Sequence, residues 1–237
     1  MRLGYLSLPF VLLSLIATPL RGQAPRPGPT LATRAADPVG EPEISTVIFD
    51  LGTDSIDIGG EVQTSLLTGE AKRSRWTKRG TDDAFLVLDA TALRAAGWTV
   101  RTPNGALMDG PHLFRTGLRL TGPDGEEVVI SDGWQFFTLL DRNRDGRINS
   151  EDPEYRLLRL FVDEDGDGKM GPGELMYLRG AGVADIIRVR RQRPQVDAHM
   201  NYKLTGKFIG ADGVMRVMID VRLADAAAAP FADAFKQ

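Results

Sequence analysis

Two aspartate-rich loops within residues 141–174 constrain this chain more than any other part of its sequence. The second of them, DEDGDGKMGPGE (loop two, residues 163–174), has carboxylates at its first, third, fifth and twelfth positions and glycine at its sixth. A hard cation such as calcium takes roughly six to eight oxygen ligands, and a tightly curled loop turns alternate side chains toward one centre. Without a cation, carboxylates gathered so closely repel one another. The pattern predicts a calcium loop whose ligands are Asp163, Asp165, Asp167, the backbone carbonyl of Lys169, and Glu174.

The first loop, DRNRDGRINSED (loop one, residues 141–152), follows the same spacing with a weaker ligand set. Aspartate stands at the twelfth position, and its short side chain reaches a shared cation less well than glutamate does. Arginines between the ligands reduce the local negative charge. We therefore expect lower affinity in loop one, and for both loops the alternative is an acidic, turn-rich surface loop without metal. The predicted ligands are Asp141, Asn143, Asp145, the backbone carbonyl of Arg147, Asn149 and Asp152.

Composition narrows the function classes. The 237-residue chain contains no cysteine, which excludes disulfides, thiolate metal sites and cysteine nucleophiles. Its formal charge of −3 is too small to favour nucleic acid as a partner. The two histidines, His112 and His199, fit no catalytic spacing, and neither a GxSxG elbow nor a zinc motif occurs. We therefore expect a protein that is not an enzyme and binds no nucleic acid.

The N-terminal sequence predicts export. Met1 and Arg2 precede an apolar run broken by prolines, and Gly22-Gln23-Ala24 offers small residues at the spacing of a cleavage site. We predict a signal peptide over residues 1–24, no stable membrane span after its cleavage, and a secreted or periplasmic protein. Two further segments are predicted to lie outside the domain: a proline-rich linker at 25–46 and an alanine-rich tail at 223–237.

Residues 47–222 are predicted to form one α+β domain. Apolar and β-branched runs predict strands at 47–49 and 85–88. Alternating apolar residues around glycine-containing turns predict two hairpins, one turning at 122–125 and a closing one turning at 211–213. The β-structure of the domain is therefore expected to consist of hairpins and a small sheet.

The helices are expected around the two loops. Asp132 is suited to cap an apolar helix that leads into loop one. Only ten residues separate the loops, so we expect one short shared helix that begins near Pro153, and another short helix after Glu174. The predicted fold class is α+β, with β-hairpins and a small sheet packed around a compact pair of EF-hand-like calcium loops at 133–180.

We assign no metal ion or nucleic acid to two other segments. In DLGTDSIDI, Asp50 opens an acidic stretch, but Gly52 and Ser55 occupy the positions where a ligand and a turn glycine are wanted, so we expect no metal there. The basic stretch AKRSRWTKRG around Trp76 combines the residue types that bind nucleic acid. In a mildly acidic chain, a solvated loop is the favoured interpretation.

The order of motifs resembles a known family. GWQFFTLLDRNRDGRI, then DPEYRLLRLFVDEDGDGKMGPGELMYLRGAGVADI and a closing LTGKFIGADGVMRVMIDV are similar to the EF-hand-type calcium-binding module of secreted haemolysin-type (RTX-associated) bacterial proteins. The resemblance spans roughly residues 46–222, although the glycine-rich nonapeptide repeats of the larger relatives do not occur. It implies calcium binding by a mixed α/β module through the ligands named above.

These observations predict a secreted or periplasmic calcium-binding protein in which the ion mainly stabilises the fold. The alternative from another class is a calcium-dependent adhesion or protein-interaction module, whose protein or surface partner the sequence does not identify. A calcium-dependent hydrolase is a third and less favoured hypothesis.

Overall fold

A computed structural model describes residues 44–188, 195–196 and 202–223. The predicted signal peptide, the predicted linker up to residue 43 and the predicted tail beyond Leu223 lie outside this part. The described part of the chain is mainly β-structure, with 12% of its residues in helices and 39% in strands. Among the described residues, no helix is both long enough and apolar enough to cross a membrane.

Fifteen strands and two α-helices make up the described part of the chain. The helices are α1 (Ala90–Ala95) and α2 (Gly133–Leu140), and a 3-10 helix covers Pro153–Leu157. The strands are β1 (Ser45–Asp50), β2 (Gly60–Thr64), β3 (Lys72–Trp76), β4 (Asp83–Asp89), β5 (Thr99–Arg101), β6 (Pro111–Leu113), β7 (Arg119–Thr121), β8 (Glu127–Val129), β9 (Arg147–Ile148), β10 (Leu158–Phe161), β11 (Leu175–Tyr177), β12 (Val183–Ile187), β13 (Gln195–Val196), β14 (Tyr202–Gly210) and β15 (Met215–Arg222).

Ten of these strands form one sheet that curls into a half-barrel. Its hydrogen-bonded order is β11-β10-β4-β1-β15-β14-β12-β9, while β6 pairs with β4 and β13 pairs with β14. The pair β2-β3 and the triplet β5-β7-β8 form two smaller sheets. Strand β4 has β10 on one side and both β1 and β6 on the other, so it lies inside the large sheet.

The core covers both faces of the large sheet. Successive side chains of a strand point to opposite faces. Along β4, Ala84, Leu86 and Leu88 belong to the larger apolar cluster, whereas Phe85 and Val87 belong to a second cluster on the other face. All five are fully buried, which explains why the sequence here is a continuous apolar run and not an alternating one.

Helix α2 begins directly on the sheet. The predicted cap is confirmed, because the Asp132 carboxylate accepts a hydrogen bond of 2.8 Å from the backbone N–H of Gln135. The Gly133 N–H donates to the buried Asp220 carboxylate of β15 at 2.7 Å. A Cβ atom at Gly133 would lie only 2.4 Å from Cγ2 of Val47, so the close contact between the helix and β1 requires glycine.

The predicted α+β class with its compact pair of EF-hand-like helical loops is wrong, since the described residues are mainly β-structure and contain no such helix pair. Helix α2 leads into loop one, but the residues between the loops form the 3-10 helix and then strand β10. After Glu174 the chain enters strand β11, where a helix was predicted. The short apolar run before loop two fits a helical turn and a strand equally well, and pairing with β4 decides in favour of the strand.

Candidate metal centre

Loop two joins two paired strands. Strands β10 and β11 are antiparallel, and Phe161 lies opposite Leu175. Beyond that pair, the Val162 N–H donates to the Glu174 carbonyl at 3.0 Å. The first and twelfth positions of the loop are therefore brought together by a β-hairpin, and not by the two helices of an EF-hand.

The hairpin gathers three of the predicted ligands. Asp163, Asp165 and Glu174 each offer a carboxylate oxygen, and the three oxygens lie within 4.8 Å of one another. Asp163 and Glu174 are buried, with exposed fractions of 3% and 8%, whereas Asp165 is exposed. Two buried carboxylates beside a third form a strongly negative, oxygen-only pocket, which suits a hard divalent cation.

Backbone N–H groups hold the buried carboxylates in place. Asp163 accepts hydrogen bonds from Gly166 at 2.8 Å, from Asp167 at 3.1 Å and from Gly168 at 2.9 Å. Glu174 accepts from the N–H of Glu164 at 3.1 Å and from that of Gly171 at 2.7 Å. These bonds fix the carboxylates before any ligand arrives, which lowers the entropy cost of binding one. The residues that donate to the two carboxylates are Glu164, Gly166, Asp167, Gly168 and Gly171.

The hairpin β2-β3 supports loop two from the side. The indole Nε1 of Trp76 donates to Oδ2 of Asp163 at 2.7 Å, and the hydroxyl of Thr64 donates to the Gly168 carbonyl at 2.7 Å. The interpretation of the stretch around Trp76 as a solvated loop is therefore wrong: it contains strand β3, and Trp76 is fully buried. Ser74, Arg75 and Trp76 are all buried, so no alternation of buried and exposed residues marks this end of the strand.

Two predicted ligands of loop two lie outside the group of three. Asp167 is exposed, and its carboxylate accepts bonds from Lys169, from the backbone N–H at 2.8 Å and from Nζ at 3.2 Å. Lys169 is likewise exposed. The nearby ammonium competes with a metal ion for the Asp167 carboxylate, which makes Asp167 the weakest of the carboxylate ligands predicted here.

Loop one is arranged differently, although its turn is similar. Asp141 accepts hydrogen bonds from the N–H groups of Asp145 at 3.1 Å and Gly146 at 3.0 Å. Oδ2 of Asp141 also pairs with Nε of Arg188 at 2.9 Å, so a guanidinium occupies the first ligand position. Asp152 accepts two backbone bonds, but among the described residues no group of three carboxylates within 4.8 Å forms in this loop.

The other predicted ligands of loop one point to neighbouring charges. The Asn143 amide donates to Asp145 at 3.2 Å, and the Asn149 amide donates to Asp185 of β12 at 2.8 Å. Arg147 pairs with the same Asp185 carboxylate at 3.5 Å. Asn149 and Arg147 therefore bind the loop to β12, whereas the Asn143 amide bonds within the loop.

A second group of three carboxylates lies in the segment for which the sequence predicted no metal. Asp50, Asp82 and Asp83 offer oxygens within 4.8 Å of one another. Burial raises the pKa of Asp83 to about 6, and burial also raises the pKa of Asp50 above its ordinary value. Removal from water disfavours the charged form of each carboxylate.

A family model described as the SPM domain matches residues 47–224. The chain belongs to the SPM domain family. The SPM domain thus includes the large sheet from Val47 onward, both acidic loops and the second carboxylate group. Among curated proteins, none matches the chain.

The predicted membership in the EF-hand-type module of RTX-associated proteins is wrong. The SPM match covers most of the chain, and the mainly β-structure of residues 44–188, 195–196 and 202–223, with its two α-helices, does not fit an EF-hand module. The resemblance depended on the two acidic loops and on the apolar helix before them. In the SPM domain these loops are attached to a curled sheet, and the same ligand spacing occurs in a β-hairpin.

Proposed function

We propose that this SPM domain binds calcium through loop two in a secreted or periplasmic protein, and that the ion stabilises the fold. The observation that carries the proposal is the group formed by Asp163, Asp165 and Glu174, whose oxygens lie within 4.8 Å of one another. The two buried members already accept several backbone hydrogen bonds, so the loop is organised to receive a cation. The predicted signal peptide supports the proposed location outside the cytoplasm.

Calcium is favoured over other metals by the ligand chemistry. The group contains only carboxylate oxygens, whereas structural zinc sites use thiolates and imidazoles. Magnesium requires nearly regular octahedral geometry and retains most of its water, while calcium accepts irregular sets of oxygen ligands from flexible loops. Extracellular calcium modules need a Kd of only about 10⁻⁴–10⁻³ M to be loaded outside the cell.

The proposed stabilisation follows from the position of loop two. The loop closes the β10-β11 hairpin at one edge of the large sheet, and β10 pairs directly with β4. An ion that binds the folded hairpin and not the unfolded chain adds about 2.7 kcal/mol to stability when its concentration is about 100 times Kd. It also removes the mutual repulsion of the buried carboxylates.

Glu174→Gln is expected to lower calcium affinity by about tenfold or more, because the substitution removes a charge and one anionic ligand oxygen. Titration of the purified protein by calorimetry measures this loss. Thermal unfolding in calcium and in chelator gives a second readout, since the calcium-dependent rise of the midpoint should shrink in the variant.

The matched control is Glu164→Gln. It makes the same change of charge in the same loop, but Glu164 is exposed and contributes only its backbone N–H to the Glu174 carboxylate. The Glu164→Gln variant should bind calcium nearly as well as the wild type. Equal losses in the two variants would indicate a general charge effect, and no calcium binding by the wild-type protein would refute the proposed function.

Arg188→Gln is expected to raise the calcium affinity of loop one by about fivefold. The guanidinium pairs with the buried Asp141 carboxylate at 2.9 Å and must leave before an ion can use that oxygen. A partly exposed ion pair of this kind is worth up to about 1 kcal/mol. Arg142→Gln is the control. Arg142 lies in loop one itself, and its guanidinium pairs with Glu154 at 3.8 Å. Calorimetric titrations that show unchanged weak binding in both variants would contradict the expectation.

A further inference from the structure

The ends of two neighbouring strands bring three aspartates together. Strand β1 ends at Asp50 and strand β4 begins at Asp83, and the antiparallel register places these two residues opposite each other. Asp82 directly precedes β4 and completes the group whose oxygens lie within 4.8 Å of one another. Asp50 and Asp83 are 5% and 1% exposed, so two negative side chains are buried face to face.

Each buried carboxylate has one oxygen without a partner. Oδ2 of Asp50 accepts from the N–H of Ser55 at 3.3 Å, and Oδ2 of Asp83 accepts from the N–H of Asp57 at 2.9 Å. Oδ1 of Asp50 and Oδ1 of Asp83 are buried and accept no hydrogen bond. A buried carboxylate oxygen without a partner is costly and uncommon in folded proteins. A bound cation would satisfy both oxygens together.

The loop that follows β1 has the same turn as the two acidic loops. In loop two, Gly168 has a φ of 71° and donates its N–H to Asp163, five residues before it. Ser55 has a φ of 92° and donates its N–H to Asp50, also five residues before it. A non-glycine residue is strained in this left-handed region. The turn of a calcium loop is thus formed here in spite of the missing glycine.

The missing ligand of this loop is supplied by another segment. Gly52 occupies the third position, where a calcium loop carries a side-chain oxygen. A Cβ atom at Gly52 would lie 2.3 Å from Oδ2 of Asp82 and 3.2 Å from Oδ1 of Asp54. The Asp82 carboxylate therefore lies where a side chain of residue 52 would begin. The absence of a side chain at residue 52 gives room for a ligand from the start of β4.

The arginine beside this loop is engaged elsewhere. Arg216 donates from Nε to the Gly52 carbonyl at 2.9 Å, which keeps it next to the group. Its Nη1 and Nη2, however, donate to the exposed Asp212 carboxylate at 2.9 and 2.7 Å. Lys78 pairs with Asp57 at 3.7 Å on the surface. Neither cation donates a hydrogen bond to the unpartnered oxygens of Asp50 and Asp83.

We propose that Asp50, Asp82 and Asp83 bind a divalent cation, calcium, at a site separate from loop two. The ion joins the end of β1 to the start of β4 and neutralises the two carboxylates that the sheet buries. Its ligands are oxygens only, as in loop two, and they come from two segments of the chain. The site therefore forms only when β1 and β4 are paired, so that ion binding and sheet formation are coupled.

The test is made in the Glu174→Gln background, where loop two is weakened. Calcium chloride is titrated into the purified protein by calorimetry, and thermal unfolding is recorded in calcium and in chelator. We expect a remaining calcium site, and adding Asp82→Asn should lower its affinity by about tenfold. Asp82 is exposed, so this variant is expected to fold. Asp57→Asn is the matched control, since it removes a nearby carboxylate that lies outside the group.

Asp83→Asn gives a second readout, because its effect on the thermal midpoint should differ between chelator and calcium. In chelator the variant should unfold about 2–4 °C above the wild type, since it removes a buried charge that has one oxygen without a hydrogen-bond partner. In calcium the variant should no longer unfold above the wild type, because it has lost one ligand of the ion. Opposite shifts of this kind support the site. If Asp82→Asn and Asp83→Asn both leave calcium affinity and the calcium-dependent midpoint unchanged, the proposed site is overturned, whereas loop two is tested separately by Glu174→Gln alone.

Discussion

Asp163→Ala is expected to lower the free energy of unfolding by about 3–5 kcal/mol in chelator, before any contribution from calcium is counted. The Asp163 carboxylate is 3% exposed and accepts four hydrogen bonds, three from backbone N–H groups of loop two and one from the indole of Trp76. Each buried donor left without an acceptor costs about 1–3 kcal/mol. Relaxation of the loop recovers part of the sum, but the fully buried indole cannot reach water. Urea denaturation in chelator measures the loss.

The control for this prediction is Asp165→Ala. Asp165 belongs to the same carboxylate group, but it is exposed and accepts one backbone N–H, from Asp167 at 3.0 Å. It should cost less than about 1 kcal/mol in chelator. Both variants should reduce calcium binding. The role assigned to Asp163 is contradicted if the two substitutions destabilise the calcium-free protein equally.

Trp76→Phe separates the hydrogen bond from the packing. It keeps an aromatic ring in the core and removes the donor that faces Asp163. Because the two side chains contact each other directly, the effects of Trp76→Phe and Asp163→Ala should not add. The indole bond is thus a link between the core and the ligand carboxylate, and it connects the stability of the sheet to the geometry of loop two.

The local features of this fold are readable in the sequence. The strand at 47–49 lies within β1 and the strand at 85–88 within β4, and both predicted hairpins occur, as β7-β8 and β14-β15. These features depend on turn residues and on short apolar patterns, which act between close neighbours in the chain. The same local spacing places Asp163 and Asp165 of loop two together.

The features that the sequence did not indicate depend on contacts between distant segments. The run before loop two becomes a strand because β4 offers a partner, and no local pattern specifies that pairing. Trp76 contacts Asp163 only because the β2-β3 hairpin folds over loop two. The group of Asp50 and Asp83 requires β1 and β4 to be neighbours. A hydrophobic pattern with a period of two residues in a strand or 3.6 residues in a helix indicates which face is apolar. It does not indicate which strands pair with each other.

Phe85 links these distant segments through one aromatic cluster. It is fully buried on β4, between Ile48 of β1 and Phe161 of β10 in the register of the sheet. Its ring centroid lies 4.3 Å from that of Trp76 and 6.1 Å from that of Phe161. Trp76 in turn donates a hydrogen bond to Asp163. Strand β10 ends at Phe161, two residues before Asp163. The cluster therefore supports loop two from beneath.

Phe85→Ala is accordingly expected to cost about 3–5 kcal/mol, because it leaves a cavity between two aromatic rings in addition to the lost burial. Phe85→Leu refills most of that volume and should cost less than about 1.5 kcal/mol. Urea denaturation in chelator measures both losses. Phe85→Leu should keep the calcium-dependent rise of the thermal midpoint that Glu174→Gln reduces, since its ligands are intact. If Phe85→Ala proves no more damaging than Phe85→Leu, the aromatic cluster is not the support of loop two.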